Sequence, residues 1–171
     1  MMNVVLVCPE IPQNTGNIAR TCAATGAELH LIEPLGFSLD DRYLKRAGLD
    51  YWHMMRYRRY PSWEAFDVAH PGAVFHFATT KAPRDYAGVS YGSDDFLVFG
   101  RETKGLPEEL LAEHYDRCMR IPMREGARSL NLANSVAVVL YEALRQQGFP
   151  GLLGQGHLTQ VPEGPEWQDY L

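Results

Sequence analysis

The sequence predicts a single-domain α/β fold, one mostly parallel sheet with helices on both faces, and two observations carry that expectation. Short apolar segments that read as strands alternate with segments of helical periodicity along most of the chain. The polar, glycine-bearing stretches fall each time just after one of those strands. The length of 171 residues with 46% hydrophobic content suits one well-buried core and is short for two.

Taken in order, residues 3–8 (NVVLVC) form an apolar run stopped by Pro9, a buried strand. After the loop PEIPQNTG, residues 17–25 are expected to be helical, with Asn14 or Asn17 as N-cap and Gly26 as the stop. Residues 28–33 (ELHLIE) alternate into a second strand ending at Pro34. Ser38 with Asp41 resembles a capping box opening a helix that ends near Gly48. Residues 51–60 read as a strand, and Ser62 caps a short helix through His70. Residues 73–78 (AVFHFA) and 95–99 (DFLVF) are two further buried strands. Pro107 suits the first turn of a helix over 107–114, and residues 117–122 form another strand. The last helix, 130–147, repeats Leu132, Val136, Val139, Leu140, Ala143 and Leu144 at helical spacing, and Gly148 ends it. Residues 1–150 are therefore read as the domain. Residues 151–171, rich in proline and glycine, are read as a tail or a strap over the surface.

Bulk properties narrow the function classes. No apolar run approaches membrane-spanning length, and no basic region followed by an apolar stretch marks a secretory signal, so a cytoplasmic protein without a membrane partner is expected. Cys8, Cys22 and Cys118 form no CxxC pair and sit among apolar neighbours, which suits reduced, buried thiols. The six histidines show no paired ligand spacing, so no metal is assigned, and His30 and His76 read as satisfied core residues. The net charge of −5 is awkward for an RNA partner, but Glu163, Glu166 and Asp169 put three of those charges in the tail. Arg42, Lys45, Arg46, Arg56, Arg58 and Arg59, interleaved with Tyr57 and Tyr60, could track a phosphate backbone. An ordinary solvated face accounts for them equally well.

Four loops follow strands: PEIPQNTGNIAR (9–20), ATTKAP (78–83), GRETKGLP (100–107) and PMREGARSLN (122–131). In open α/β sheets ligands bind outside the carboxyl ends of the strands, so these loops are expected to form one composite small-molecule pocket. Arg20 is placed in the first turn of its helix, where the macrodipole disfavours a cation, and it could form an anion site with backbone N–H groups. A plain salt bridge to Glu10 or Glu28 is the alternative. Asn14, Asn17, Ser129 and Asn131 have helix-capping or turn roles by default, and a capping amide can still face a ligand. There is no GxGxxG, no GxxxxGK[ST] and no GxSxG elbow, which disfavours an ordinary dinucleotide site, a P-loop and a serine hydrolase.

Together the loops resemble the three motifs of the SpoU/TrmH branch of the SPOUT methyltransferases. Asn14, Gly16, Asn17 and Arg20 match N-x-G-N-x-x-R. Phe99, Gly100, Glu102, Gly105 and Leu106 match F-G-x-E-x-x-G-[LI]. Ile121, Pro122 and Met123 followed by Ser129, Leu130, Asn131, Leu132, Ala133 and Asn134 match the third. The stretches LHLIEPLGF (29–37) and DDRYLKRAGLDY (40–51) are similar to the short, single-domain TrmL-type subgroup. The tail beyond residue 150 departs from that pattern.

The resemblance implies a Rossmann-like sheet whose C-terminal part forms a deep trefoil knot, which periodicity alone would never propose. It implies a homodimer whose active sites draw on both subunits, S-adenosyl-L-methionine as cofactor, and methylation of the ribose 2′-hydroxyl of the wobble nucleotide, cytidine or a modified uridine, in leucine tRNAs. Arg20 would act on that hydroxyl, as a base or by orienting it and stabilising the alkoxide, with Asn14, Glu102, Ser129 and Asn131 around it. The cofactor would lie against Ala78, Thr79, Gly100, Ile121, Met123, Ser129 and Leu130. The alternatives are a 2′-O-methyltransferase acting on another tRNA position or on ribosomal RNA, and a non-catalytic RNA-binding module.

Overall fold

The computed structural model describes residues 1–38 and 56–157. Within them six strands form one sheet in the order β3-β2-β1-β5-β4-β6, and every pairing is parallel. The strands are β1 (Asn3–Val7), β2 (Glu28–Ile32), β3 (Tyr57–Tyr60), β4 (Phe75–Ala78), β5 (Phe96–Phe99) and β6 (Cys118–Met119). The helices are α1 (Pro12–Thr25), α2 (Trp63–Ala69), α3 (Glu108–Glu113) and α4 (Leu132–Gln146).

Alternation along β1 shows how the sheet divides its core. Val4 and Leu6 point to one face, where Ile18, Ala19 and Cys22 of α1 and Val136, Val139, Leu140 and Ala143 of α4 cover them. Val5 and Val7 point to the other, against Phe66 of α2, Leu110 and Leu111 of α3, and Phe75, Phe77 and Phe96. A central parallel strand covered on both faces must be apolar throughout, which is why NVVLV has no polar alternation.

Local signals account for the helix ends. The Ser62 hydroxyl accepts from the Ala65 N–H at 3.2 Å, opening α2 as expected. Asn131 caps α4 through its carbonyl, accepting from Ala133 N at 2.9 Å and Asn134 N at 3.3 Å. Gly148, at φ 73°, closes α4 with a paired Schellman arrangement, Gly148 N to Arg145 O and Phe149 N to Leu144 O. The expected strand at 51–60 is described only from residue 56, and the expected helix between Ser38 and Gly48 lies outside the described residues.

Two expectations are corrected. Helix α1 begins at Pro12 rather than residue 17, so Asn14 and Asn17 lie inside it, and its N-cap is Ile11, which makes no side-chain cap. Arg20 therefore sits in the third turn, beyond reach of the N-terminal dipole, and the electrostatic penalty expected there does not exist. Strand β6 is only two residues long, because beyond Met119 the backbone of Arg120 pairs with Arg84 and Tyr86 instead.

His30 and His76 are core residues with partners. His76 Nε2 meets Asp95 Oδ2 at 2.7 Å. His30 Nε2 donates to Asn3 Oδ1 at 3.2 Å, its Nδ1 meets the Tyr60 hydroxyl at 3.2 Å, and the Phe66, His70 and Phe96 rings surround it. Burial pushes the His30 pKa down from 6.5 to about 4. As pH falls through that interval the unfolded chain takes up a proton that the buried ring refuses. Stability is thus full above about 6.5 and is lost progressively towards 4, by on the order of 3 kcal/mol. Thermal unfolding followed from pH 7 to 4.5 should show this decline, and His30→Gln, which cannot take up the proton, should flatten it. An unchanged slope in the variant would refute the assignment.

Candidate active site

Helix α1 follows β1 on one face of the sheet and α3 follows β5 on the other, while β1 and β5 are adjacent. This is a topological switch point, where the loops leaving neighbouring strands part and leave a crevice. A cleft of about 540 Å³ opens there, a size suited to a small organic ligand. All four loops singled out in the sequence reach it. Ile11 and Asn14 come from the first and Ala78, Thr79, Thr80 and Lys81 from the second; the third supplies Gly100–Leu106 and the fourth Met123 and Arg128–Asn131.

The cleft is held together by a chain of side-chain bonds that crosses the three motifs. One Glu102 oxygen accepts from the Glu10 N–H at 2.8 Å; the other accepts from the Ile11 N–H at 3.1 Å and the Asn14 amide at 3.0 Å. Asn14 Oδ1 in turn accepts from Asn131 Nδ2 at 3.0 Å. Ile11 makes no side-chain cap, and the Glu102 carboxylate instead takes up the N–H groups of Ile11 and of Glu10 just before the helix. It also places negative charge at the positive end of α1. The amides of Asn14 and Asn131 are both engaged at each end in this chain, which fixes their orientation.

A second carboxylate crosses in the opposite direction. Glu10 Oε2 accepts from Thr103 Oγ1 at 2.7 Å and Thr103 N at 3.1 Å. The Thr103 hydroxyl, with its N–H and the charges of Arg101 and Lys104 behind it, holds the Glu10 carboxyl below its usual range. The loop between them is a tight turn in which Arg101 and Gly105 exchange both backbone bonds, at 3.1 and 2.9 Å. Gly100 is required there: a Cβ would lie 2.1 Å from the Gly105 carbonyl carbon and 2.2 Å from Leu106 N.

The seven residues expected to hold a cofactor, Ala78, Thr79, Gly100, Ile121, Met123, Ser129 and Leu130, all line this one cleft. So do Asn14, Glu102, Ser129 and Asn131. Arg20 does not: it is exposed on α1 and absent from the cleft lining. The cleft also takes in Tyr86 and Arg128, and the Glu10–Thr103 pairing beside it was not foreseen from the sequence. Glu10 and Thr103 belong to no ligand motif, and only their pairing across 93 residues reveals them. Among the described residues no cluster of three or more His, Cys, Asp or Glu could hold a metal, and no helix is long and apolar enough to cross a membrane.

A cleft of this kind, built from loops at the carboxyl ends of a parallel sheet, defines an α/β protein that takes a small-molecule cofactor. The chain belongs to the SpoU rRNA Methylase family, whose model matches residues 1–141. A tRNA (cytidine(34)-2′-O)-methyltransferase of Burkholderia cenocepacia is 53% identical over 155 residues, covering 88% of this chain and 99% of that protein. A solved structure described as giving insights into the 2-OH methylation of C/U34 on tRNA matches with TM-score 0.83 and 48% identity, over 86% of this chain and 97% of that one. An AdoMet-bound rRNA methyltransferase from Sinorhizobium meliloti matches with TM-score 0.74 and 32% identity, over 84% of this chain and 56% of that one.

Asn131 has two separable duties, capping α4 and holding Asn14. Asn131→Asp keeps the cap acceptor but loses the donor and sets a carboxylate oxygen against the buried Asn14 Oδ1, so cleft function should fall and folding stability with it by about 1–3 kcal/mol. Asn131→Ala should lose about 1 kcal/mol as well. Denaturant unfolding beside cofactor calorimetry checks both. An Asp variant as functional as the parent would remove Asn131 from the site.

Proposed function

We propose that this chain transfers a methyl group from S-adenosyl-L-methionine to the ribose 2′-hydroxyl of the wobble nucleotide, cytidine or a modified uridine, of leucine tRNAs. The observation that carries the reading is the convergence of three separate motif loops on one cleft, locked by the Glu102–Asn14–Asn131 chain. The relatives' names and the match to a C/U34 methylation structure favour the wobble nucleotide over another tRNA position or ribosomal RNA. The leucine isoacceptor rests on the sequence resemblance.

The residues present fit the cofactor. The cleft has the volume for it, its floor and walls include Ala78, Phe99, Ile121, Met123 and Leu130 for apolar contact, and the backbone at Gly100 is exposed to close approach. When bound, S-adenosylmethionine supplies an electrophilic methyl on a sulfonium. The protein's task is then to place one hydroxyl in line with it, the hydroxyl proton passing to solvent as the new C–O bond forms. Arg20, a planar cation-bearing fork of N–H donors with no acceptor, is assigned to orienting that hydroxyl and stabilising the alkoxide. Asn14, Glu102, Ser129 and Asn131 build the wall around it.

Arg20 lies outside its own subunit's cleft, so a homodimer in which each active site draws on both subunits is the arrangement that would deliver it. Exposed Val138, Tyr141 and Phe149, on α4 and just past its end, support such an interface. The C-terminal knot is supported by the way residues 84–91 hold the later chain: Arg84 and Tyr86 pair with Arg120, and the Gln146 amide bonds Val89 O and Tyr91 N. Residues 1–150 would form the catalytic domain of a cytoplasmic enzyme, with 151–171 as its tail.

For RNA, charge placement outweighs the net total. Lys81, Arg101, Lys104, Arg120 and Arg128 line the cleft, against Glu102 as the acid among the described lining residues. Arg58 and Arg59, by contrast, pair with Glu28 at 2.6 Å and Glu33 at 2.5 Å. Arg20→Ala should abolish methylation of tRNA while cofactor affinity, read by calorimetry, changes less than about threefold; a fully active variant sinks the assignment. Reversing Arg101 and Lys104 should weaken tRNA binding and lower its salt slope by about one for each phosphate no longer neutralised. Reversing Arg58 and Arg59 should do less.

A further inference from the structure

Glu10 is a charged side chain with no place in the reading above. It does not line the cleft and belongs to none of the three motifs, yet it makes two bonds to Thr103, at the tip of the loop that forms one cleft wall. That loop is internally rigid, because Arg101 and Gly105 close it with two backbone bonds and Gly100 is packed against Gly105 and Leu106. A rigid loop moves as a body, so its distance from α1 is set by whatever ties its tip.

Two carboxylates make those ties, in opposite directions. Glu102 leaves the loop to hold the backbone of Glu10 and Ile11, and Glu10 leaves the first loop to hold Thr103. Each acid also has its neighbour's backbone fixed by the other, which gives a two-point attachment where one point would allow rotation. The base of the Glu10 arm is itself immobilised: Gly36 N donates to Pro9 O at 2.9 Å, and a Cβ on Gly36 would lie 2.7 Å from Glu10 Cα. The Glu10 carboxyl is therefore aimed from a fixed stem.

We propose that Glu10 is a positioning residue for the cofactor: through Thr103 it holds the 100–105 loop at the separation from α1 that S-adenosylmethionine requires. This rests on the functional reading above, because it takes that molecule as the occupant of the cleft. Being ionised at all but acidic pH, the Glu10 arm stays closed across the working range. Its bonds lie at the surface, so its loss loosens a wall without exposing the core.

Calorimetry of S-adenosylmethionine with the full chain, alongside thermal unfolding, tests it. Glu10→Ala, which removes both bonds, should raise the cofactor Kd about tenfold and Thr103→Val, which keeps the N–H bond, by less than that but more than about twofold, with the KM for cofactor rising in step and kcat falling less than about threefold. The unfolding midpoint should move by less than about 3 °C, as a surface contact of this kind implies. The double variant should be no weaker than Glu10→Ala alone, because that change already removes both bonds of the arm. Thr103→Ser, which keeps hydroxyl and N–H, should bind as the parent does. Wild-type affinity in Glu10→Ala, additive losses in the double variant, or a Thr103→Ser as weak as Thr103→Val would each overturn the proposal. Should Glu10→Ala fail to fold, the Thr103 pair of variants still decides it. A parent chain that binds no S-adenosylmethionine would instead overturn the functional reading, so the two failures are distinguishable.

Discussion

The Glu102 carboxylate is the interaction on which the site depends. A helix that starts at Pro12 has backbone N–H groups pointing out of its N-terminus with no side-chain acceptor of its own, since Ile11 cannot supply one. Glu102 reaches across the switch point between β1 and β5 and accepts from that terminus, and it holds the Asn14 amide with the same charge. Hydrogen bonds to a charged acceptor contribute roughly 1.5–3 kcal/mol each, so this one side chain offsets a local deficit in α1 and orders the cleft together. Asn14 carries the constraint on to Asn131 and so to the start of α4.

That chain explains why three loops far apart in sequence can make one pocket of defined shape. Each loop alone is a flexible connector with little to hold it. The parallel sheet brings their stems together, and the polar chain fixes their tips relative to one another. Capping and site-building are here the same bonds. Asn131 is the plainest case, with one end of its amide serving the helix and the other the active-site wall.

Charge follows a similar division. The chain is acidic overall, but the cleft lining is basic, and the arginines of β3 that look like a nucleic-acid patch in the sequence are paired with Glu28 and Glu33 of β2 and its end. Exposed pairs of this kind contribute about 0–1 kcal/mol to stability, and they offset the positive charge of Arg58 and Arg59. Net charge and clustering along the chain are poor guides to the surface potential when neighbouring strands supply counter-charges.

By itself the sequence determined the fold class, the strands and the helix ends at Ser62, Asn131 and Gly148, because apolar periodicity and caps act between residues close in the chain. It also determined the composite pocket and its motif residues, since loops after parallel strands must lie at one edge of the sheet. Helix α1 starts at Pro12, a proline in its first turn, and the tertiary structure adds that Glu102 from a distant loop bonds the backbone just before that start. Tertiary structure removed the dipole argument for Arg20, which that start places in the third turn, and left Arg20 outside the cleft lining. It revealed Glu10 and Thr103 as well. Contacts across some ninety residues leave no period or spacing in a sequence; they exist only once the sheet has brought β1 and β5 side by side.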